Sequence, residues 1–185
     1  MILQVLFIAA AFLVDEIIGG LLPHSFMPGD VVITSCLGLS ALVLMQRKME
    51  RINSLLITII FGLLYDYFAA HTFLVCTIVF VIINLAVSQW QKHITESMLE
   101  SCLLVFTTIF VKEFLVYFIM TLLSETLMPF DMWLVSRASL TLLFNGVLVV
   151  IIVWASRMIE DIMLMREKKI RKEETISWWK ISSKR

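Results

Sequence analysis

Charge is scarce in this chain. Asp, Glu, Lys and Arg make up 16% of its 185 residues, against about 25% in an average soluble domain. With 60% hydrophobic residues and a mean hydropathy of +0.94, it has too few polar groups to cover a water-facing surface. A soluble globular domain is excluded on that ground, and so is a disordered chain, which carries far less apolar surface. Cysteine is nearly absent too. Cys36, Cys76 and Cys102 contain no CxxC pair, which excludes a disulfide framework and a thiolate zinc site. His24, His71 and His93 have no partner four residues away, so a metal centre is not expected. There is no GxSxG, HExxH or glycine-rich phosphate loop, and no catalytic constellation or cofactor is expected.

What is present is long apolar runs. A helix needs about 20 apolar residues to cross roughly 30 Å of hydrocarbon. Six stretches qualify: Met1–Leu22, Gly29–Met45, Ile52–Ala70, Thr72–Trp90, Leu99–Leu123 and Met132–Ser156. The apolar runs are continuous rather than alternating, which excludes a membrane β-barrel. The expected fold is therefore an all-α integral membrane protein with a six-helix transmembrane domain over residues 1–156 and a basic tail over 157–185. The third and fourth spans, separated only by Ala69–Thr72, are expected to form a tight antiparallel hairpin. The first span has no Lys or Arg ahead of it and no A-x-A site, so it reads as a permanent helix rather than a cleaved signal.

Basic residues are distributed unevenly. Thirteen of the fifteen Lys and Arg fall in the segments after spans two and four and in the tail. The other two are Lys112 in span five and Arg137 at the start of span six. The opposite side carries Asp30, Glu125 and Asp131. The positive-inside rule then places both termini in the cytoplasm of a multi-pass membrane protein. Span six is expected to continue as a helix, with Glu167 and Arg171 as an i,i+4 pair. The tail reads either as a solvated topology anchor, as a lipid-headgroup contact through Lys168, Lys169, Arg171, Lys172, Trp178 and Trp179, or as the seat of a cytosolic partner.

An ionisable group at a helix centre costs at least about 2.5–3.5 kcal/mol, so each one inside a span needs a reason. They are Asp15 and Glu16, Asp66, and Lys112 with Glu113. Asp15, Asp66 and Lys112 fall at one depth, roughly 20 Å from the basic ends of their helices at 1.5 Å per residue. Thr58, Gly62, Asp66 and Ala69 share a face of span three; Ser101, Thr108 and Lys112 share one of span five; Thr34, Gly38 and Ala41 share one of span two; Asn84 and Ser88 stack on span four. Small and polar faces allow close helix approach and interhelical hydrogen bonds. The expectation is that these faces point inward and that Lys112 pairs with Asp66 or with Asp15 and Glu16. Three alternatives stay open: Asp15 and Asp66 at the outer headgroups with Tyr65 and Tyr67 as belt aromatics, Lys112 neutralised locally beside Glu113 or snorkelling, and a proton or ion relay.

The segment Phe61-Gly62-Leu63-Leu64-Tyr65-Asp66-Tyr67-Phe68 resembles the rod-shape-determining MreD family, whose third helix ends in a glycine–apolar–Asp stretch. Met27-Pro28-Gly29-Asp30-Val31-Val32 is similar to the family's proline-plus-polar lead-in to helix two, and Phe12-Leu13-Val14-Asp15 to the polar break in helix one. The turn Ala69–Leu74 lacks the glycine that the family carries there. The resemblance implies a fold like the six-helix substrate-binding subunits of energy-coupling-factor vitamin transporters. It also implies a non-enzymatic role in the bacterial cell-elongation machinery. Its expected partners are an MreC-like bitopic protein, a RodA-like glycosyltransferase, a class B penicillin-binding protein, indirectly MreB-like filaments, and membrane lipids; nucleic acid is not among them. A vitamin-transporter subunit is the alternative function.

Overall fold

The computed structural model describes residues 2–21, 32–70, 74–90, 97–126 and 128–182, with side chains through Arg171 except those of Ala70, Glu167 and Ile170. Among these residues the protein is all-α and without strands. Helix α1 spans Ile2–Leu21, α2 Leu37–Gln46, α3 Arg51–Tyr65, α4 Val75–Trp90, α5 Met98–Leu122, α6 Phe130–Trp133 and α7 Ser139–Ser182. Single π-helical turns, Asp66–Ala70 and Leu134–Ala138, prolong α3 and lead into α7.

Four apolar helical stretches are long enough to cross a membrane: Ile2–Leu21, Arg51–Ala69, Met98–Leu122 and Phe130–Arg166. Helices α4 and α2 are apolar but shorter. Two of the six expected spans, the second and the fourth, are therefore shorter than expected, the second most of all. Residues 32–36 are not helical, and helix begins only at Leu37. Ten helical residues rise only about 15 Å, half of the roughly 30 Å of hydrocarbon.

All ten residues of α2 are buried, and it touches α1, α3, α4, α5 and α7. It is the axis around which the bundle is arranged, and its sequence Leu-Gly-Leu-Ser-Ala-Leu-Val-Leu-Met-Gln is apolar nearly all round, as a fully enclosed helix requires. One side packs Ala41, Leu44 and Met45 against Ile8 of α1, Val105 and Ile109 of α5, and Val153 of α7. The other side packs Leu39 and Val43 against Val79, Phe80 and Ile83 of α4. The outer surface is apolar as well: Leu13, Ile17, Leu56, Leu103, Leu143 and Val147 are all exposed, as lipid-facing residues must be.

Glycines set two of the closest approaches. A Cβ at Gly62 would stand 2.9 Å from the Thr77 Cα, so α3 and α4 meet backbone to backbone, as the small-residue stripe predicted for this hairpin. A Cβ at Gly38 would stand 2.5 Å from the Phe12 ring, which is itself stacked on Phe61 at 5.0 Å. Two turns place non-glycine residues in the left-handed region: Leu74 (φ 62°), immediately before α4, and Ser124 (φ 60°), after α5. The α5 terminus is a Schellman motif built without glycine, with the Glu125 N–H donating to Met120 C=O at 3.0 Å and the Ser124 N–H to Thr121 C=O at 3.1 Å.

Candidate functional site: a broken helix held by charged side chains

The unwound segment 32–36 presents backbone polar groups in the middle of an apolar bundle. Such backbone is tolerated at membrane depth only where protein groups replace the missing helical hydrogen bonds. Two neighbouring helices, α1 and α7, supply them, and a third, α5, holds a side chain of the segment. From α1, the Asp15 carboxylate accepts from the Leu37 N–H (3.1 Å) and the Gly38 N–H (3.2 Å), the first donors of α2. A carboxylate at a helix N-terminus satisfies orphan N–H groups and complements the positive end of the helix dipole. From α7, the Asn145 side chain accepts from the Cys36 N–H (2.9 Å) and donates to the Thr34 C=O (2.7 Å), and the Thr141 hydroxyl faces the Thr34 N–H at 3.4 Å.

From α5, Glu113 completes the clamp. One carboxylate oxygen accepts from Lys112 Nζ (2.6 Å) and from the Thr34 hydroxyl (2.9 Å), and the other from Arg137 Nε (3.2 Å). Glu113 and Lys112 are buried, while Arg137 reaches in from the π turn before α7 with a third of its side chain exposed. The Lys112 ammonium also lies 3.7 Å from Cys36 Sγ and 5.8 Å from the centre of the Tyr65 ring. Side chains at i and i+1 do not normally face one another on a helix. Here the long lysine stem folds back along α5 to reach its own neighbour.

The expected pairing of Lys112 with Asp66 or with Asp15 and Glu16 is therefore corrected. Lys112 is neutralised locally by Glu113, and the two aspartates hold backbone instead. Asp66 sits where α3 passes into its π turn, and accepts from the Cys76 N–H (2.9 Å), the Thr77 N–H (2.7 Å) and the Thr77 hydroxyl (2.6 Å) at the start of α4. Asp15 and Asp66 thus do the same thing at two places: each is a carboxylate of one helix that caps the next. Both are buried rather than displayed to headgroups. Tyr65 packs inward on Phe80 at 5.5 Å, whereas Tyr67 is exposed in the manner of a belt aromatic.

The remaining predicted residues divide. Thr58 is fully buried, and with Ser54 it accepts from the Asn84 side chain at 2.7 and 2.8 Å, so that stripe faces α4 as expected. Glu16 is exposed and takes no part in the clamp. Lys168, Lys169 and Arg171 are exposed on the continuation of α7. The side chains of Glu167, Lys172, Trp178 and Trp179 lie outside the described residues, as do His24, His71, His93 and the Met27–Val31 lead-in. Sequence reasoning missed Thr141, Asn145 and the inward reach of Arg137. The signal was available: Thr141 and Asn145 are an i,i+4 polar pair inside span six, the same pattern used to single out span three.

Chemically, the cluster binds groups of its own chain: Asp15 and Asp66 hold main-chain N–H groups, and Glu113 holds side chains. Each of the three buried carboxylates described accepts at least two hydrogen bonds from this chain. The comparisons identify no relative: no family model, curated protein or solved structure matches this chain.

Proposed function

We propose that this protein is a non-enzymatic scaffold of the bacterial cell-elongation machinery, of the MreD type, seated in the cell membrane with both termini in the cytoplasm. The observation that carries the reading is the use of the buried charges: Asp15, Asp66 and Glu113 hold helix ends, an unwound segment and two cations of the same chain. Costly groups engaged in this way give a defined shape against which another helix can pack. The glycine–apolar–Asp segment 61–68 supports the family, and the clustering of basic residues supports the orientation. On this reading the bundle docks the transmembrane helix of an MreC-like protein and positions it near a RodA-like glycosyltransferase and a class B penicillin-binding protein. MreB-like filaments are linked indirectly, and the tail residues Lys168, Lys169, Arg171, Lys172, Trp178 and Trp179 rest on lipid. Mild-detergent purification from native membranes, with depletion in cells, tests it. Co-purification of a bitopic partner and loss of elongated shape are expected; unaltered shape with no partner recovered refutes it.

A second reading draws on the broken helix. Membrane transporters use half-helix N-termini near the midplane to receive anionic substrate groups, and α2 likewise begins after an unwound segment inside the bundle. In this protein Asp15 occupies that terminus. A vitamin-transporter subunit is therefore the weaker reading, and specific stabilisation by a vitamin in a thermal-shift screen is the result that would reverse the order.

A further inference from the structure

Of the five ionisable side chains that the sequence sets inside spans, Asp15, Asp66, Lys112 and Glu113 are buried and engaged, whereas Glu16 is exposed. No hydrogen bond or ion pair reaches its carboxylate from the described residues. Its place is not the rim of the apolar belt. Glu16 lies about 21 Å from Ile2 and about 8 Å from Leu21 along α1, at 1.5 Å per residue. Exposed Leu13 stands on one side of it, and exposed Ile17 and Leu21 on the other. A carboxylate facing hydrocarbon is expensive, and no described residue of the bundle uses this one.

Helix α1 packs chiefly on α2, through a face that buries Gln4, Ile8, Ala11 and Asp15. The opposite face carries Leu13, Glu16, Ile17 and Gly20 at i, i+3, i+4 and i+7 spacing. A Cβ at Gly20 would meet nothing within 4 Å. A helix laid along this face can approach closely at Gly20 and finds an anion without a counterion one turn away. This chain's own charges narrow what can neutralise it. Lys112 and Arg137 are both held by Glu113. The other thirteen of the fifteen Lys and Arg lie after spans two and four and in the tail, toward the Gln4 end of α1. A second copy in the same membrane orientation therefore brings no spare cation to this level. We propose that this face of α1 docks a transmembrane helix of a different protein, one that carries a Lys or Arg side chain opposite Glu16. The two charges form an interhelical ion pair within the apolar belt. The proposal rests on the scaffold reading, for which it names the docking face and the chemistry of the partner's helix.

The test uses the full-length protein in native membranes, with a photoreactive phenylalanine analogue at Leu13 or Ile17. The same analogue at Leu103 of α5 or Val147 of α7, exposed elsewhere on the bundle, serves for comparison. Crosslinking is expected from Leu13 and Ile17, and not from the other two, to a transmembrane protein whose span carries a Lys or Arg. Glu16→Gln is expected to weaken that capture about tenfold, the size of an interhelical polar pair in a membrane. Glu16→Lys, combined with the partner's cation changed to Glu, is expected to restore it. Glu16→Gln is also expected to unfold at the temperature of the unaltered protein, which separates lost docking from lost folding. If it unfolds earlier, the comparison of crosslinking positions on the chain that keeps Glu16 still decides. Recovery of a bitopic partner in mild detergent, with no crosslink from Leu13 or Ile17, overturns the proposal and leaves the scaffold reading standing. No partner by either route overturns both. Crosslinking from Leu13 and Ile17 to a second copy or to lipid alone overturns the proposal, as does undiminished capture by a correctly folded Glu16→Gln.

Discussion

Asp66 closes the start of α4 by accepting both the main-chain N–H and the hydroxyl of Thr77, at 2.7 and 2.6 Å. The same threonine is the residue against which Gly62 presses, one turn earlier on α3. A single hairpin therefore joins its two helices through a charge at one level and the absence of a side chain at the next. The glycine permits the approach that puts the carboxylate within hydrogen-bond reach.

Replacing Asp66 by Asn keeps the shape but removes the charge and one acceptor. Hydrogen bonds to a charged group are worth about 1.5–3 kcal/mol, so a loss of that order is expected in denaturant unfolding of the purified protein. Amide exchange should accelerate first at Cys76 and Thr77. Unchanged exchange at those two positions would show that the cap is unimportant.

The clamp is expected to respond asymmetrically. Glu113→Gln leaves Lys112 without its counterion in an apolar interior and removes the charge that holds Arg137, for an expected loss of about 3–5 kcal/mol. Lys112→Met fills similar space and leaves Glu113 paired with Arg137, so it should be much milder. The charge exchange Lys112→Asp with Asp66→Lys is expected to give no rescue, because the two residues serve different helices. Recovery of stability in that double variant would overturn the pairing described here.

Two glycine substitutions should act in opposite directions. Gly62→Ala forces backbone apart at Thr77, and overpacking of this kind costs about 1–3 kcal/mol. Gly19→Ala meets nothing within 4 Å and lies inside α1, so it should gain roughly 0.5–1 kcal/mol from helix propensity alone. Melting curves of the two variants, measured side by side in the same detergent, check both signs.

Ser124 adopts a left-handed conformation in the Schellman turn after α5, and its side chain is exposed. That conformation costs a non-glycine residue roughly 1–2 kcal/mol, so Ser124→Gly is expected to stabilise the protein after allowing for glycine's greater unfolded freedom. A lower melting temperature for Ser124→Gly would contradict the turn geometry. Leu74, just before α4, is left-handed as well.

Much of the fold was legible in residue order. Helix boundaries for α1, α3, α4 and α5 fall within a few residues of the apolar runs, because a chain in hydrocarbon must satisfy its main chain by helix and the run length measures the helix. The inward faces of spans three and five were legible as well, since Thr58, Gly62, Asp66, Ser101, Thr108 and Lys112 fall at helical spacing and are all buried. The break at 32–36 was not, because Val32-Ile33-Thr34-Ser35-Cys36 is as apolar as a helix would be. Its departure from helix becomes tolerable only once Asp15, Asn145 and Glu113 arrive from elsewhere in the chain. The partner of Lys112 was misread for a related reason: spacing along a helix says which side chains share a face, not which way a flexible lysine stem turns.

The order of residues alone settled that this chain is a helical membrane protein, since the balance of apolar to charged groups and the length of each run are properties of composition and periodicity. It also settled which charges would be expensive to bury. Only the folded bundle decided what those charges do, because a carboxylate has no role until a donor stands within about 3 Å of it. Here those donors lie from one to 79 residues away along the chain, on segments whose contact depends on packing around α2.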